Sequence, residues 1–145
     1  MNGTIRARRW VAYAFALFAV SGSIACNGSE SAGPTGISGT YTLQTVNNAS
    51  LPFTTSQDAT YKAEILSWVI TLNQDKTYIG SFKGRSTDNG TTTVNTVPTA
   101  GTYTVTGSAV RLLDPDGYLD ATVVGSSLTI VIDGGAGVFT LRFTR

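Results

Sequence analysis

Residues 101–132 read GTYTVTGSAVRLLDPDGYLDATVVGSSLTIVI. Tyr103 and Val105 alternate with Thr102, Thr104 and Thr106. Val110 and Leu112 flank Arg111, and Leu119, Ala121 and Val123 alternate with Asp120 and Thr122. Leu128, Ile130 and Ile132 continue the pattern. A period of two with Thr, Val and Tyr in excess marks strands with one apolar face. The breaks between them are short. Thr106-Gly107-Ser108 and Gly125-Ser126-Ser127 are tight hairpin turns. In Asp114-Pro115-Asp116-Gly117, proline presets φ and glycine admits a positive one. Short links between neighbouring strands predict an antiparallel meander.

The same pattern extends in both directions. Downstream, Phe139, Leu141 and Phe143 oppose Thr140 and Arg142, after a turn at Asp133–Gly137. Upstream, Tyr41 and Leu43 share a face, as do Tyr61, Ala63 and Ile65, with Lys62 and Glu64 opposite. Trp68, Ile70 and Leu72 share a face and are followed, after a turn at Asn73–Lys76, by Tyr78 and Phe82. Ile65 and Trp68 are an odd number of residues apart, so one regular strand cannot turn both inward. A bulge near Leu66-Ser67 is therefore expected. Ser86 to Thr93 is polar and reads as a looser loop, and at most one helical turn fits near Gln57–Thr60.

The fold class is thus all-β. About eight to ten strands with one apolar face each form either an antiparallel up-and-down barrel or a β-sandwich. Local hairpins throughout favour the barrel, which also removes exposed sheet edges.

The chain has 145 residues, 41% hydrophobic and 13% charged, enough for one domain. It has no His and one Cys. A Ser-His-Asp triad, a His- or Cys-type zinc site and an internal disulfide are therefore excluded. Residues 1–25 have the layout of a signal peptide. Arg6, Arg8 and Arg9 precede an apolar run from Trp10 to Val20, and Ser21–Ala25 is mostly small. The run is shorter than the roughly 20 residues of a spanning helix. Residues 26–38 (CNGSESAGPTGIS) have too little apolar mass to fold alone and read as a flexible linker. Residues 39–145 form the domain. From Cys26 onward seven basic side chains face nine carboxylates, near −2, which gives nucleic acid no basic surface.

Ser23-Ile24-Ala25-Cys26 resembles the lipobox of bacterial lipoproteins. The resemblance implies that Cys26 is acylated and becomes the N-terminus, with the membrane as partner. Asn27, where an Asp would mark inner-membrane retention, implies the outer membrane facing the periplasm. The alternative is ordinary cleavage after Ala25, which releases a secreted protein with a free thiol. Residues 39–145 are in turn similar to the lipocalin-like domains of small bacterial lipoproteins. The similarity rests on Gly39-Thr40-Tyr41-Thr42-Leu43, on 68–78 (WVITLNQDKTY) and on 101–112 (GTYTVTGSAVRL). It implies a barrel that binds a small hydrophobic molecule. Tyr41, Trp68, Tyr78, Tyr103 and Phe139 are the candidate lining; the same rings equally suit a plain core.

No catalytic set emerges, and no cofactor or metal is expected. Asp114, Asp116 and Asp120 lack the spacing and the closing Glu of a calcium loop. Glu64 and Asp120 fall on expected outer faces, which does not suit paired-carboxylate catalysis. Two functions stand: a lipid-anchored module binding a small hydrophobic molecule, or a non-catalytic structural or interaction lipoprotein with a solid core. Nothing in the chain names a protein partner.

Overall fold

A computed structural model describes residues 36–133 and 137–145. The signal segment, Cys26 and most of the linker lie outside these residues. Ten strands follow one another: β1 (Gly39–Val46), β2 (Ala49–Ser50), β3 (Phe53–Gln57), β4 (Tyr61–Leu72), β5 (Thr77–Asp88), β6 (Thr91–Thr106), β7 (Ala109–Asp114), β8 (Gly117–Val124), β9 (Ser127–Asp133) and β10 (Val138–Thr144). Every sequential pair from β3 to β10 is antiparallel, and β1 then pairs with both β10 and β4. This closes an eight-stranded barrel of β1 and β4–β10, with β2 and β3 as additions.

The additions occupy a seam. The first half of β1 pairs with β4 (Thr40↔Thr71, Thr42↔Val69) and its end pairs with β2 (Val46↔Ala49). The first half of β4 pairs instead with β3 (Phe53↔Ile65). β1 and β4 therefore diverge, and β2 and β3 fill the opening. Asn47 holds the other side of β1. Its N–H donates to the Thr140 carbonyl at 2.8 Å, and its Oδ1 accepts from the Thr140 N–H at 2.8 Å.

The inner face is the one expected from alternation. Tyr41, Val46, Leu128, Ile130 and Phe143 are fully buried, and Ile70, Leu72, Val110, Leu112 and Leu141 nearly so. The bulge near Leu66-Ser67 is present as a register shift between Ile65 and Ser67, and it lets Ile65 and Trp68 both face the core. Two inward glycines let walls approach closely. A Cβ on Gly101 would strike the Leu113 carbonyl and the Tyr78 ring, and one on Gly80 would strike the Thr99 hydroxyl.

Three expectations are corrected. Ser86–Thr93 is a regular hairpin, not a looser loop; Asn89 (φ 47) and Gly90 (φ 82) form its two-residue turn. Two positive φ values are what an Asn-Gly pair tolerates and what such a turn requires. Gln57–Thr60 contains no helical turn: Asp58 Oδ1 accepts from the N–H groups of Thr60 and Tyr61 instead. The end of the expected linker belongs to the barrel. Ile37 is buried, and Arg145 Nη1 donates to the carbonyls of Gly36 and Ser38.

Overpacking a fitted wall costs about 1–3 kcal/mol. Gly101→Ala is therefore expected to lower unfolding stability by about that amount in urea titration, and an unchanged midpoint would contradict the close approach at Leu113.

Candidate functional site

The barrel has two unlike ends. One holds the entering chain at Gly36–Ser38, the turns at 73–76, 107–108 and 125–126, and the C-terminal Arg145. This end is sealed. The Tyr41 hydroxyl donates to the Ile37 carbonyl at 2.7 Å, and the Arg145 guanidinium lies over the Tyr41 ring. The Tyr103 hydroxyl donates to the Asn73 carbonyl at 2.5 Å, with the Lys76 ammonium over its ring. The Tyr78 hydroxyl instead reaches the β7–β8 turn of the opposite end, where it donates to Asp114 Oδ2 at 3.3 Å. Burial first, and then the nearby Asp114 carboxylate, push the Tyr78 phenol up to about 12. Burial also raises Tyr41.

These placements decide what the five candidate lining residues do. Tyr41, Tyr78 and Tyr103 are buried, and their hydroxyls are bonded to the barrel's own rim. Trp68 packs edge-on against Phe82 and Phe143 at 5.6 and 5.7 Å, and Phe139 packs edge-on against Phe53 at 6.1 Å. Ring pairs at such distances are ordinary core contacts. All five thus pack in or against one continuous core, and none borders the concavities described next. Among the described residues, Trp68 Nε1 is the buried side-chain polar atom left without a hydrogen-bond partner.

The other end is a mouth. Here β3, β4, β5 and β6 continue past the shorter strands, and a concavity of about 410 Å3 lies against Tyr61, Ala63, Ile65, Phe82, Asn95 and Val97. Tyr61 and Val97 are 38% and 49% exposed, so this is an open apolar shelf. Sequence reasoning placed Ile65 and Phe82 inward but missed the shelf, because it took Ser86–Thr93 for a loop and read no strand over 94–100. The Asn89-Gly90 pair was the available signal.

The same rungs carry an ion-pair cluster. Glu64 Oε2 meets Arg85 Nε at 2.7 Å, and Glu64 Oε1 meets Lys62 Nζ at 2.8 Å. Glu64 was expected on an open outer face, but only 7% of it is exposed. It lies between β3, where Thr54 opposes it, and β5, where Arg85 does, and the two cations complete its cover. The Arg85 hydrogen bond, then the Lys62 one, hold its carboxyl down at about 2.

A second concavity, about 580 Å3, lies on the outer wall of β6–β9 among Thr104, Thr106, Arg111, Asp120, Thr122 and Thr129. Arg111 bonds Asp120 through Nε and Nη2 at 2.7 and 2.9 Å. Both are largely exposed, so solvent screens the pair and it adds little to stability. Among the described residues no three His, Cys, Asp or Glu side chains converge on a metal position.

Compared with known protein families, curated proteins and solved structures, the chain has no match.

Glu64 also sets an acid limit on the mouth. Its folded pKa lies below the ordinary 4.5, so the stabilisation it provides is complete above that value. It is lost as pH falls from about 4.5 to about 2. Chemical denaturation across this window is expected to show declining stability, with a shallower decline in Glu64→Gln; identical slopes would contradict the cluster.

Proposed function

We propose that this chain is a non-catalytic lipoprotein of the bacterial cell envelope, whose filled barrel serves as a rigid platform for a protein partner. The interior carries the reading. Ten side chains there are under 2% exposed, and the tyrosine hydroxyls are bonded internally. A barrel of about eight strands is either filled by side chains or holds one small ligand, and this one follows the filled pattern. The outside is rich in threonine with scattered charge and the inside is apolar, the reverse of a membrane-spanning barrel. Membrane attachment is therefore assigned to acyl chains on Cys26, with Asn27 favouring the outer membrane and the periplasmic side.

The fold adds an orientation to this reading. The chain enters the barrel at its sealed end. Nine residues, 27–35, separate Cys26 from Gly36, a reach of at most about 35 Å. On this reading the sealed end is the tethered one, and the mouth with its long β5–β6 hairpin is the end opposite the tether.

A second reading is binding of a small hydrophobic molecule at the mouth. Two observations favour it: the open apolar shelf at Tyr61, Phe82 and Val97, and the unpartnered Trp68 Nε1 behind it.

One preparation tests both. Trp10 and Trp68 are the two tryptophans, so after removal of the leader Trp68 is the sole emitter. Platform function predicts that a long-chain fatty acid leaves Trp68 emission unchanged. A saturable shift would overturn it in favour of the second reading. Cys26→Ala is expected to move the protein from the membrane to the soluble fraction; unchanged sedimentation with membranes would overturn the anchor.

A further inference from the structure

β6 is sixteen residues long, and its neighbours do not match it. Residues 91–102 pair with β5, but β7 pairs only with 102–106. Among the described residues, the second edge of β6 from Thr92 to Ala100 therefore has no strand beside it.

The direction of each backbone group follows from the ladder. The Tyr103 N–H donates to the Lys76 carbonyl, on the β5 side. β6 has no register shift, so the odd-numbered residues face β5 and the even-numbered ones face away. Thr106 and Ala109 close a two-residue turn on the β7 side, in agreement. Thr92, Val94, Thr96 and Ala100 thus present N–H and C=O groups to open space, a ready template for another strand. Pro98 lies on the same edge, where its missing N–H costs no ladder bond and ends the usable run. The free template is therefore Thr92–Thr96.

The two faces beside this edge differ. On one, Val97 and Asn95 are in register with Phe82 and Gly84 and continue the apolar shelf. On the other, Thr96 and Val94 are in register with Lys83 and Arg85, and Lys62 is one strand further in. Three cations there meet one carboxylate, Glu64, leaving two uncompensated positive charges, and Lys83 forms no ion pair among the described residues. Residues 89–110 contain no charge of either sign, so the edge itself repels neither.

We infer that the Thr92–Thr96 edge of β6 is a strand-addition site for an extended segment of a partner protein that alternates apolar and acidic residues. The apolar side chains complete the shelf beside Val97 and Phe82. The acidic ones lie on the opposite face, two strand spacings or about 10 Å from the β5 backbone, within reach of the long Lys83 side chain. This rests on the platform reading and names the surface and the partner's chemistry.

The test uses the full chain and an eight-residue peptide alternating valine and glutamate. Binding is expected to slow amide exchange of Thr92, Val94 and Thr96 at least tenfold. A valine–lysine peptide should bind at least tenfold more weakly, and Lys83→Glu, which leaves two charges of each sign on this face, should erase that preference. Thr96→Pro, which removes an outward donor and no bond to β5, should abolish the protection. Should that variant unfold, the loss of preference in Lys83→Glu alone decides. Unchanged exchange at saturating peptide, or equal binding of the two peptides, would overturn the site. Protection that rises with protein concentration without peptide would overturn the partner in favour of a second copy. The fatty-acid titration read by Trp68 is run without peptide, so failure here and failure of the platform reading are distinguishable.

Discussion

One strand closes the barrel. β1 bonds β10 along one edge and β4 along the other, and the remaining architecture depends on that double engagement. Without it the meander would end in two bare edges, and the inner faces of β9 and β10 would be wet. Leu128, Ile130, Leu141 and Phe143 lie on those faces and are essentially unexposed. Replacing a buried Leu or Phe by Ala costs about 2–5 kcal/mol, so leaving several of them open would exceed the net stability of a small domain. The seam also accounts for the smaller elements. β1 cannot follow both neighbours along its whole length, so its ladder with β10 shifts between Leu43 and Thr45, and β2 and β3 cover the gap.

Unequal strand lengths give the barrel its polarity. The sealed end is held by tyrosine hydroxyls, the Arg145 guanidinium and the buried Ile37, all from short segments. At the far end β5 and β6 outrun β7, leaving an apolar shelf on one face and cations on the other. The filled interior and the open edge suit the same role. A solid barrel gives a stiff frame, and recognition then falls to its margin.

Much of this was legible in the chain. Alternation identified the inner faces of β7–β10 because those strands are regular and joined by tight turns. The odd separation of Ile65 and Trp68 located the bulge, since a strand's side-chain period is fixed at two. Other features were hidden for physical reasons. β2 and β3 are short and largely polar, so they carry no apolar rhythm of their own. The first half of β6, Thr91 to Pro98, is exposed on both faces, which removes the alternation that burial imposes. Burial of Glu64 depends on β3, a neighbour that only the closed seam supplies. The five aromatic candidates were recognised as inward-facing or core residues, but composition does not tell a lining from a filling. Hydroxyl partners and ring contacts do.

Residue-resolved amide exchange on β1 tests closure most directly. In a closed wall, Tyr41 is in register with β4 and Thr42 with both β4 and β10, so these odd and even amides alike should exchange only through global unfolding. β6 is the internal control: its even positions from Thr92 to Thr96 should exchange fast and the odd ones slowly. The same fast–slow alternation on β1 would show it to be an edge, and the closed barrel would be refuted.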